Sequence, residues 1–226
     1  MASFAVSDTT NKILRNFAGV SNSILLVEGQ VQKTVASGKS VLAIAELPEA
    51  WPKETGIYDL GMFLGTLSSF KQPGIEFDDD AMVISQGRSR VRYRYSDPST
   101  ILTAPNKSLK TDNPAVEFTL NEETLTRLKK QCSLLQLESV TFSVEDGKVL
   151  VRAADPKNPA SHAFEHEVED ETITLHDEDY SESRTFKTEY LGMLLDGSYR
   201  VSLSDWPYGY FQHEAEPVSY FIVAQS

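Results

Sequence analysis

Four segments of this chain have the periodicity of amphipathic helices, and each is followed by short segments in which apolar and polar residues alternate. The helical segments begin near residues 7, 59, 121 and 188. A helical period followed by a strand period indicates an α+β unit, and glycines such as Gly38, Gly87 and Gly147 mark tight turns between the predicted strands. We therefore predict an α+β fold in which four similar units form a degenerate internal repeat.

The helical segments carry local start and stop signals. The first helix is predicted over residues 7–18, with Asp8 or Thr9 as its N-terminal cap and with Ile13, Leu14 and Phe17 on one apolar face. The others are predicted to begin, in chain order, near Asp59, Asn121 and Thr188. Gly197 is the predicted C-terminal cap of the fourth helix, because glycine tolerates the left-handed conformation found there.

A connector is predicted in the middle of the chain. Residues 96–114 contain three prolines and several turn-forming residues without a clear period. The connector separates an N-terminal domain of residues 1–95 from a C-terminal domain of residues 115–226, each with a pair of helix-plus-strand units. The length of 226 residues and the 40% hydrophobic content are sufficient for two modest cores.

Charge is distributed unevenly between the two halves. Residues 1–113 carry 12 Lys and Arg against 12 Asp and Glu, whereas residues 114–226 carry 9 against 21. The whole formal net charge of -12 therefore lies in the second half. Such a charge argues against binding nucleic acid on an open surface, but halves of unequal charge can associate head to tail.

Basic residues nevertheless gather on the predicted exposed faces of the first and third helices. At 100° per residue they lie opposite or beside the apolar stripe of each helix. The candidate DNA-facing residues are Lys12, Arg15, Arg127, Lys129 and Lys130. They suit sequence-independent contacts with phosphates, and the alternative is an ordinary solvated face of an amphipathic helix.

Two predicted strands carry rows of like charge with opposite signs. The candidate subunit-interface residues are Arg88, Arg90, Arg92 and Arg94 in one strand and Glu165, Glu167 and Glu169 in the other. Side chains at every second position share a face of a strand, so each row repels itself and favours a partner of opposite sign. We predict edge strands that pair between subunits, and the alternative is two separately solvated strands.

Signatures of catalysis are missing from the sequence. It contains no phosphate-binding GxxxxGK[ST], no GxGxxG after a strand and no GxSxG elbow. His162 and His166 lack a fixed third ligand, although His176 or Asp177 could join them at a metal. Cys132 is the only cysteine, which excludes an internal disulfide, and its place on an apolar stripe favours a core role. We predict a protein that is not an enzyme and that uses neither cofactor nor metal.

Targeting and membrane signals are also missing. No run of 18 or more apolar residues occurs, and the N-terminus lacks the basic region and long apolar run of a signal peptide. We therefore expect an intracellular protein without a membrane partner.

Three segments resemble one known family. They are DTTNKILRNFAGVSNSILLVEGQ at residues 8–30, GIYDLGMFLG at 56–65 and SDPSTILTAPNK at 96–107. On these motifs the chain resembles the sliding clamps, or DNA polymerase processivity factors, of T-even-type bacteriophages. The resemblance is strong over roughly the first 110 residues, and it continues in element order and length through the second half.

The resemblance implies a fold, partners and a function. It implies a two-domain DNA-clamp fold and a homotrimer that forms a closed, pseudo-six-fold ring, with helices around the hole and sheets outside. Such a ring encloses double-stranded DNA and tethers the phage DNA polymerase after an ATP-driven clamp loader has placed it there. It would act in the cytoplasm of the host cell.

The resemblance also implies a pocket near the connector that takes a short hydrophobic peptide from partner proteins. Carried onto this sequence, the pocket residues are Ile101, Leu102 and Pro105, together with Pro207 and Ile222 from the last hairpin. An alternative function remains, because a phage structural ring, such as a tail or head-completion protein, also joins complementary strand edges.

Overall fold

The computed structural model of the chain describes residues 4–105, 108–145, 147–158 and 162–225. The chain divides into two compact units, Met1–Pro105 and Asn106–Ser226. The division lies inside the predicted connector of residues 96–114, whereas the predicted domain boundaries at residues 95 and 115 stay predictions.

The first unit contains α1 (Asp8–Val20), β1 (Ile24–Leu26), β2 (Gly29–Val35), β3 (Val41–Trp51), β4 (Thr55–Ile57), α2 (Leu60–Ser68), β5 (Gly74–Phe77), β6 (Ala81–Gln86) and β7 (Ser89–Arg94), followed by a 3₁₀ turn at Pro98–Thr100. All strand pairs are antiparallel: β1 with β4, β2 with β3, and β6 with both β5 and β7. Strand β4 was not predicted, because three residues are too few to show an alternating period.

Local capping explains where the helices of this unit begin. The α1 cap is Ser7, whose side chain accepts a hydrogen bond from the Thr10 amide at 3.2 Å. The predicted caps Asp8 and Thr9 are wrong, because both residues already lie in the first helical turn. Asp59 caps α2 and accepts from the Met62 amide at 2.7 Å.

The core of the first unit forms where α1 and α2 pack on the strands. Ile13, Leu14 and Phe17 are fully buried, as their helical spacing predicted. Trp51 is also buried, and its ring meets the ring of Phe4 edge to face at a centroid distance of 5.1 Å. The apolar stripe of α1 therefore faces inward, which leaves its basic residues on the outside.

The carboxylate of Glu49, on β3, holds the beginning of α1. It accepts hydrogen bonds from the Ser7 amide, at 2.8 Å, and from the Thr10 hydroxyl. Burial alone would raise the pKa of Glu49, but the hydrogen bonds from Thr10 and Ser7 outweigh burial and lower that pKa below its ordinary value of 4.5. A negative charge at this position also suits the positive end of the helix dipole.

Replacing Glu49 with glutamine is expected to lower the free energy of unfolding by about 1 kcal/mol at pH 7, because a neutral amide accepts weaker hydrogen bonds. Because folding lowers the pKa of Glu49, its carboxylate stabilises the folded state above the ordinary pKa. This stabilisation is lost as the pH falls through the folded-state pKa. Urea unfolding at pH 7 and at pH 3 measures this effect, with exposed Glu46→Gln on the same strand as the control. An equal difference at both pH values would contradict the assignment.

The second unit contains β8 (Val116–Leu120), α3 (Glu122–Leu135), β9 (Ser139–Glu145), β10 (Lys148–Ala154), β11 (Phe164–Glu167), a 3₁₀ turn at Asp170–Thr172, β12 (Thr174–Leu175), β13 (Ser183–Lys187), α4 (Thr188–Gly192), β14 (Tyr199–Leu203), β15 (Tyr208–His213) and β16 (Val218–Val223). Its strands form two antiparallel sets, in the orders β11-β10-β9-β13 and β12-β8-β14-β15-β16. As in the first unit, helices alternate with antiparallel strands.

The helices of the second unit differ in how well the sequence predicted them. Asn121 caps α3 and accepts from the Thr124 amide at 2.8 Å, at the predicted position. The predicted cap Gly197 is wrong, because α4 already ends at Gly192. Gly197 instead has a φ of +143° and packs directly against the His213 ring, which leaves no room for a side chain. Of the predicted Asp146-Gly147 turn, Asp146 lies outside the described residues.

Candidate nucleic-acid interface and association edges

The exposed face of α1 carries two of the predicted DNA-facing residues. Lys12 and Arg15 are exposed, and they lie on the side of the helix away from the buried face. The Arg15 guanidinium donates a hydrogen bond to the Asn11 side chain at 3.1 Å, one turn earlier. The arrangement leaves cationic groups at the surface without a shaped pocket, which suits contact with a phosphate backbone.

The exposed face of α3 carries two more cations. Arg127 and Lys130 are exposed, and Arg127 forms an ion pair with Glu123 one turn earlier. Lys129 is turned away from this face, since its ammonium group donates to the Leu194 carbonyl at 2.9 Å and contacts Asp196 at 3.2 Å. The ammonium group of Lys129 thus connects α3 to the segment after α4, and the assignment of Lys129 to the DNA-facing set stays a prediction.

The other two helices, α2 and α4, contain no lysine or arginine. The outward residues of α2 are neutral and include Gly61, Met62 and Gly65. Beside α4, Lys187 pairs with Glu189 at 3.4 Å and lies over the Tyr190 ring. Exposed positive charge on the helices therefore comes from α1 and α3, one helix in each unit.

The arginine row lies on β7, which is a terminal strand of its sheet among the described residues. Arg90, Arg92 and Arg94 share one face of β7, whereas Arg88 precedes the strand in the turn. The arginine strand is therefore shorter than predicted, because the tight turn at Gly87 extends through Arg88.

Part of the arginine row is neutralised within the chain. The Arg92 guanidinium contacts Asp78 at 2.7 Å and Asp80 at 2.6 Å, and Arg94 contacts Asp80 at 2.8 Å. The hydrogen bond from Arg92 is the main cause that lowers the pKa of Asp80. The premise that the row needs a partner from outside the chain is wrong for Arg92 and Arg94. No ion pair to a described residue is found for Arg88 or Arg90.

The glutamate row lies on β11, which is also a terminal strand among the described residues. Glu165 and Glu167 are exposed, and they contact Arg152 at 3.3 Å and Lys148 at 2.6 Å on the neighbouring β10. Glu169 is exposed and lies two residues after the end of the strand, so β11 itself contains Glu165 and Glu167, and the alignment of Glu169 with them stays a prediction. These ion pairs are exposed on both sides and contribute little to stability.

The residues of the predicted peptide pocket lie in different surroundings. Ile101 is buried, with 6% of its surface exposed, whereas Pro105 is exposed. Leu102 lines an open cleft of about 660 Å³ between the end of α1 and the beginning of α2. Tyr58 lines the same cleft with 65% of its surface exposed.

Tyr58 was not among the residues predicted from the sequence for this pocket. A hydrophobic residue before a helix cap usually packs against the fourth helical residue, which would bury it against Phe63. Phe63 instead meets Tyr93 at a centroid distance of 5.3 Å. The local pattern therefore pointed away from the exposed position that Tyr58 occupies.

The pocket residues of the last hairpin divide in the same way. Pro207 is exposed, but Ile222 on β16 is fully buried. The assignment of Ile222 to a peptide-contacting surface is wrong, because a side chain with no exposed area cannot touch a partner. Alternation along β16 explains the burial, since its neighbour Val223 is 41% exposed.

Residues considered for other chemistry have structural partners. His166 lies 3.2 Å from the Thr124 hydroxyl, and His176 lies 3.0 Å from Glu117. In residues 4–105, 108–145, 147–158 and 162–225, no group of three His, Cys, Asp or Glu is placed to hold a metal. Burial raises the pKa of the Cys132 thiol, which disfavours a nucleophilic thiolate. No helix in the described part of the chain is long and apolar enough to cross a membrane.

Comparison with solved structures identifies the fold. Proliferating cellular nuclear antigen from Entamoeba histolytica superposes with a TM-score of 0.71 and 12% sequence identity, over 100% of both chains. At this identity the similarity concerns the fold alone. No protein-family model matches the chain.

Curated relatives extend over most of the sequence. The chain is 27% identical over 226 residues to the sliding clamp of Vibrio phage KVP40, which covers 98% of this chain and 99% of that relative. It is 28% identical over 234 residues to the sliding clamp of Escherichia phage RB69, over 98% and 96% of the two chains. The chain is also 29% identical over 148 residues to the sliding clamp of Enterobacteria phage T4, and this match covers 65% of this chain and 64% of that relative. The predicted resemblance and the clamp fold are therefore confirmed, and this chain is similar over nearly its whole length to the sliding clamps of Vibrio phage KVP40 and Escherichia phage RB69.

Proposed function

We propose that this chain is a sliding clamp that encircles duplex DNA and tethers the phage DNA polymerase to it during viral DNA replication. The observation that carries the proposal is similarity to phage sliding clamps along nearly the whole chain. The alternative, a structural ring of the phage tail or head, is not favoured, because all three relatives are named sliding clamps.

The charge distribution supports this function. A ring holds DNA by topology, so a few weak phosphate contacts from Lys12, Arg15, Arg127 and Lys130 are sufficient, and their weakness permits sliding. The remaining acidic surface repels DNA, which reconciles a net charge of -12 with a nucleic-acid partner.

We propose the homotrimer that the resemblance to phage sliding clamps implies, with the two edge strands as its contacts. Two units per chain and three chains give six units. The contact between β7 of one chain and β11 of the next is heterologous, so three copies related by a three-fold rotation close a ring. The residues of this contact are Arg88, Arg90, Arg92, Arg94, Glu165 and Glu167, with Glu169 just beyond the strand. Arg90 is the most informative position, because no ion pair with a described residue competes for it.

The protein is proposed to be a scaffold without catalytic activity. Its partners are double-stranded DNA, the phage polymerase and an ATP-driven clamp loader, all in the cytoplasm of the infected cell. A hydrophobic peptide of a partner protein is proposed to bind in the cleft lined by Leu102 and Tyr58, beside exposed Pro105. Buried Ile101 supports this segment from beneath, and Pro207 is the remaining candidate from the last hairpin.

Retention on DNA of different topology tests the function. After loading by the clamp loader of the same phage, the protein is expected to stay on nicked circular DNA and to leave once the circle is made linear. Gel filtration in buffers of increasing salt measures retention before and after a restriction enzyme cuts the circle. Equal loss from circular and linear DNA would contradict a clamp.

Removing helix cations tests the proposed inner surface. Arg15→Ala with Lys130→Ala is expected to weaken transient binding to DNA and to flatten its salt dependence, by about 0.9 in slope for each phosphate that the protein no longer neutralises. Lys39→Ala with Lys157→Ala removes the same charge from exposed positions on loops and serves as the control. An equal effect of both double variants would place the DNA-binding residues elsewhere.

A further inference from the structure

The hydrogen bonds of β7 determine which of its backbone groups face the free edge. The Tyr95 amide donates to the Asp80 carbonyl at 3.0 Å, and the same register places Tyr93 opposite Met82. In an antiparallel ladder, successive residues alternate between bonding to the neighbour and pointing away from it. Tyr93 and Val91 therefore bond to β6, whereas the amide and carbonyl groups of the residues between and beside them point outward. These outward residues are Arg90, Arg92 and Arg94.

The same argument applies to β11. The Val168 amide donates to the Val149 carbonyl at 2.9 Å, and the register places His166 opposite Val151. His166 and Phe164 therefore bond to β10, and the backbone groups of Glu165 and Glu167 point toward the free edge. On both edges, the residues with outward backbone groups are thus the residues with charged side chains.

From these outward backbone groups we infer the register in which two copies join. Strand β7 of one chain pairs antiparallel with β11 of another, with Arg90 opposite Glu167 and Arg92 opposite Glu165. The inference rests on the proposed ring. In an antiparallel pair, outward residues of both strands stand directly opposite each other and share a face. A parallel pair would instead place each arginine opposite His166 or Phe164 and separate the two charged rows.

The register follows from the two faces of the joined strands. On the uncharged face it places Tyr93 opposite Phe164, so that a second aromatic ring extends the contact between Tyr93 and Phe63. On the charged face it gives a glutamate within β11 to Arg90, which has no acidic partner among the described residues.

Registers shifted by two residues fit less well. A shift in one direction places Arg90 opposite Glu169, which follows the end of β11. It also places Glu167 opposite Arg92 and Glu165 opposite Arg94. These two arginines are already neutralised by Asp78 and Asp80. The opposite shift places Arg90 opposite Glu165, but it brings Glu167 opposite Arg88, which lies in the turn before β7. It also leaves Arg92 opposite uncharged Ala163, so that only one arginine of the strand faces a glutamate.

Disulfide trapping tests the register. In a Cys132→Ser background, His166→Cys is combined in turn with Ser89→Cys, Val91→Cys or Tyr93→Cys. In the inferred register, positions 91 and 166 form a non-hydrogen-bonded pair with a Cα separation of about 4.5 Å, within the range of a disulfide. Mild oxidation is expected to give covalent dimers and trimers most rapidly with Val91→Cys, seen on non-reducing gels.

The outcomes separate the register from the ring. Faster cross-linking with Ser89→Cys or Tyr93→Cys would overturn the register and leave the ring standing. A ring by light scattering that forms no cross-link in any of the three variants would overturn the strand pairing. A single-chain mass for the unmodified protein would overturn the proposed ring itself.

A charge exchange provides an independent test. Arg90→Glu is expected to weaken subunit association on the order of tenfold for each interface, because an attraction becomes a repulsion across the strands. Adding Glu167→Arg is expected to restore association, whereas adding Glu165→Arg is not. The two added variants are matched, since each glutamate also pairs with a cation on β10. Equal restoration by both would contradict the inferred register.

Discussion

Replacing Phe142 with alanine is expected to lower the free energy of unfolding by about 3–5 kcal/mol, because it leaves a cavity in the core of the second unit. Phe142 is fully buried on β9. Its ring lies 5.6 Å from that of Phe118, 5.8 Å from Phe186 and 6.2 Å from Phe211, between ring centroids. The substitution therefore removes the packing of Phe142 against these rings and the apolar area that its side chain buries.

Chemical unfolding followed by fluorescence and circular dichroism measures this loss. Leu134→Ala is the control, because Leu134 is a large apolar residue in the same unit with 65% of its surface exposed on α3. The control is expected to change the free energy of unfolding by less than about 0.5 kcal/mol. A loss below about 1 kcal/mol for Phe142→Ala would mean that the aromatic cluster is not packed as described.

Replacing Gly56 with alanine is expected to cost about 1–3 kcal/mol and to displace the segment that leads to the proposed peptide cleft. A Cβ at Gly56 would overlap the Ser96 carbonyl oxygen and touch the Ile101 side chain. Gly56 also accepts a hydrogen bond from the Ser96 amide at 2.9 Å, so the two backbone segments are held at close range. Because the obstructing atom belongs to the backbone, no side-chain rotation relieves the overlap.

The displacement is expected to reach the cleft through Ile101 and Leu102. Faster cleavage of residues 96–105 by a protease, and weaker binding of a fluorescent hydrophobic peptide from the phage polymerase, measure the effect. Gly65→Ala is the control, since a Cβ there meets nothing within 4 Å and alanine favours helix α2. Unchanged peptide binding in a destabilised Gly56→Ala protein would place the peptide site elsewhere.

The beginnings of the helices were predictable because they depend on neighbouring residues. Asp59 and Asn121 accept hydrogen bonds from amides three residues later, so the capping signal is contained in the local sequence. Ile13, Leu14 and Phe17 were predicted as core for the same reason, since the helical period alone aligns them. The caps at Ser7 and after α4 were missed. At the first end Ser7, Asp8 and Thr9 can all cap a helix, and at the other end Gly192 and Gly197 both offer a helix end, so the local signal is ambiguous.

The edge strands show where prediction from sequence stops. Alternation in the sequence placed Arg90, Arg92 and Arg94 on one face, because the strand period is two. It did not predict that Asp78 and Asp80 neutralise part of this row, since that contact depends on how the β5–β6 hairpin turns back toward β7. Whether the rows join two copies stays a prediction.

By itself, the sequence determined the repeated helix-and-strand pattern, the faces of the helices and, through its motifs, the family it resembles. These features come from local periodicity and composition, which act within a few residues. Only the tertiary structure decided that Lys129 is bound to Leu194 and Asp196, that Ile222 is buried and that Arg90 alone among the three β7 arginines lacks an acidic partner among the described residues. Each of these depends on which distant segment packs nearby, and local patterns carry no information about that choice.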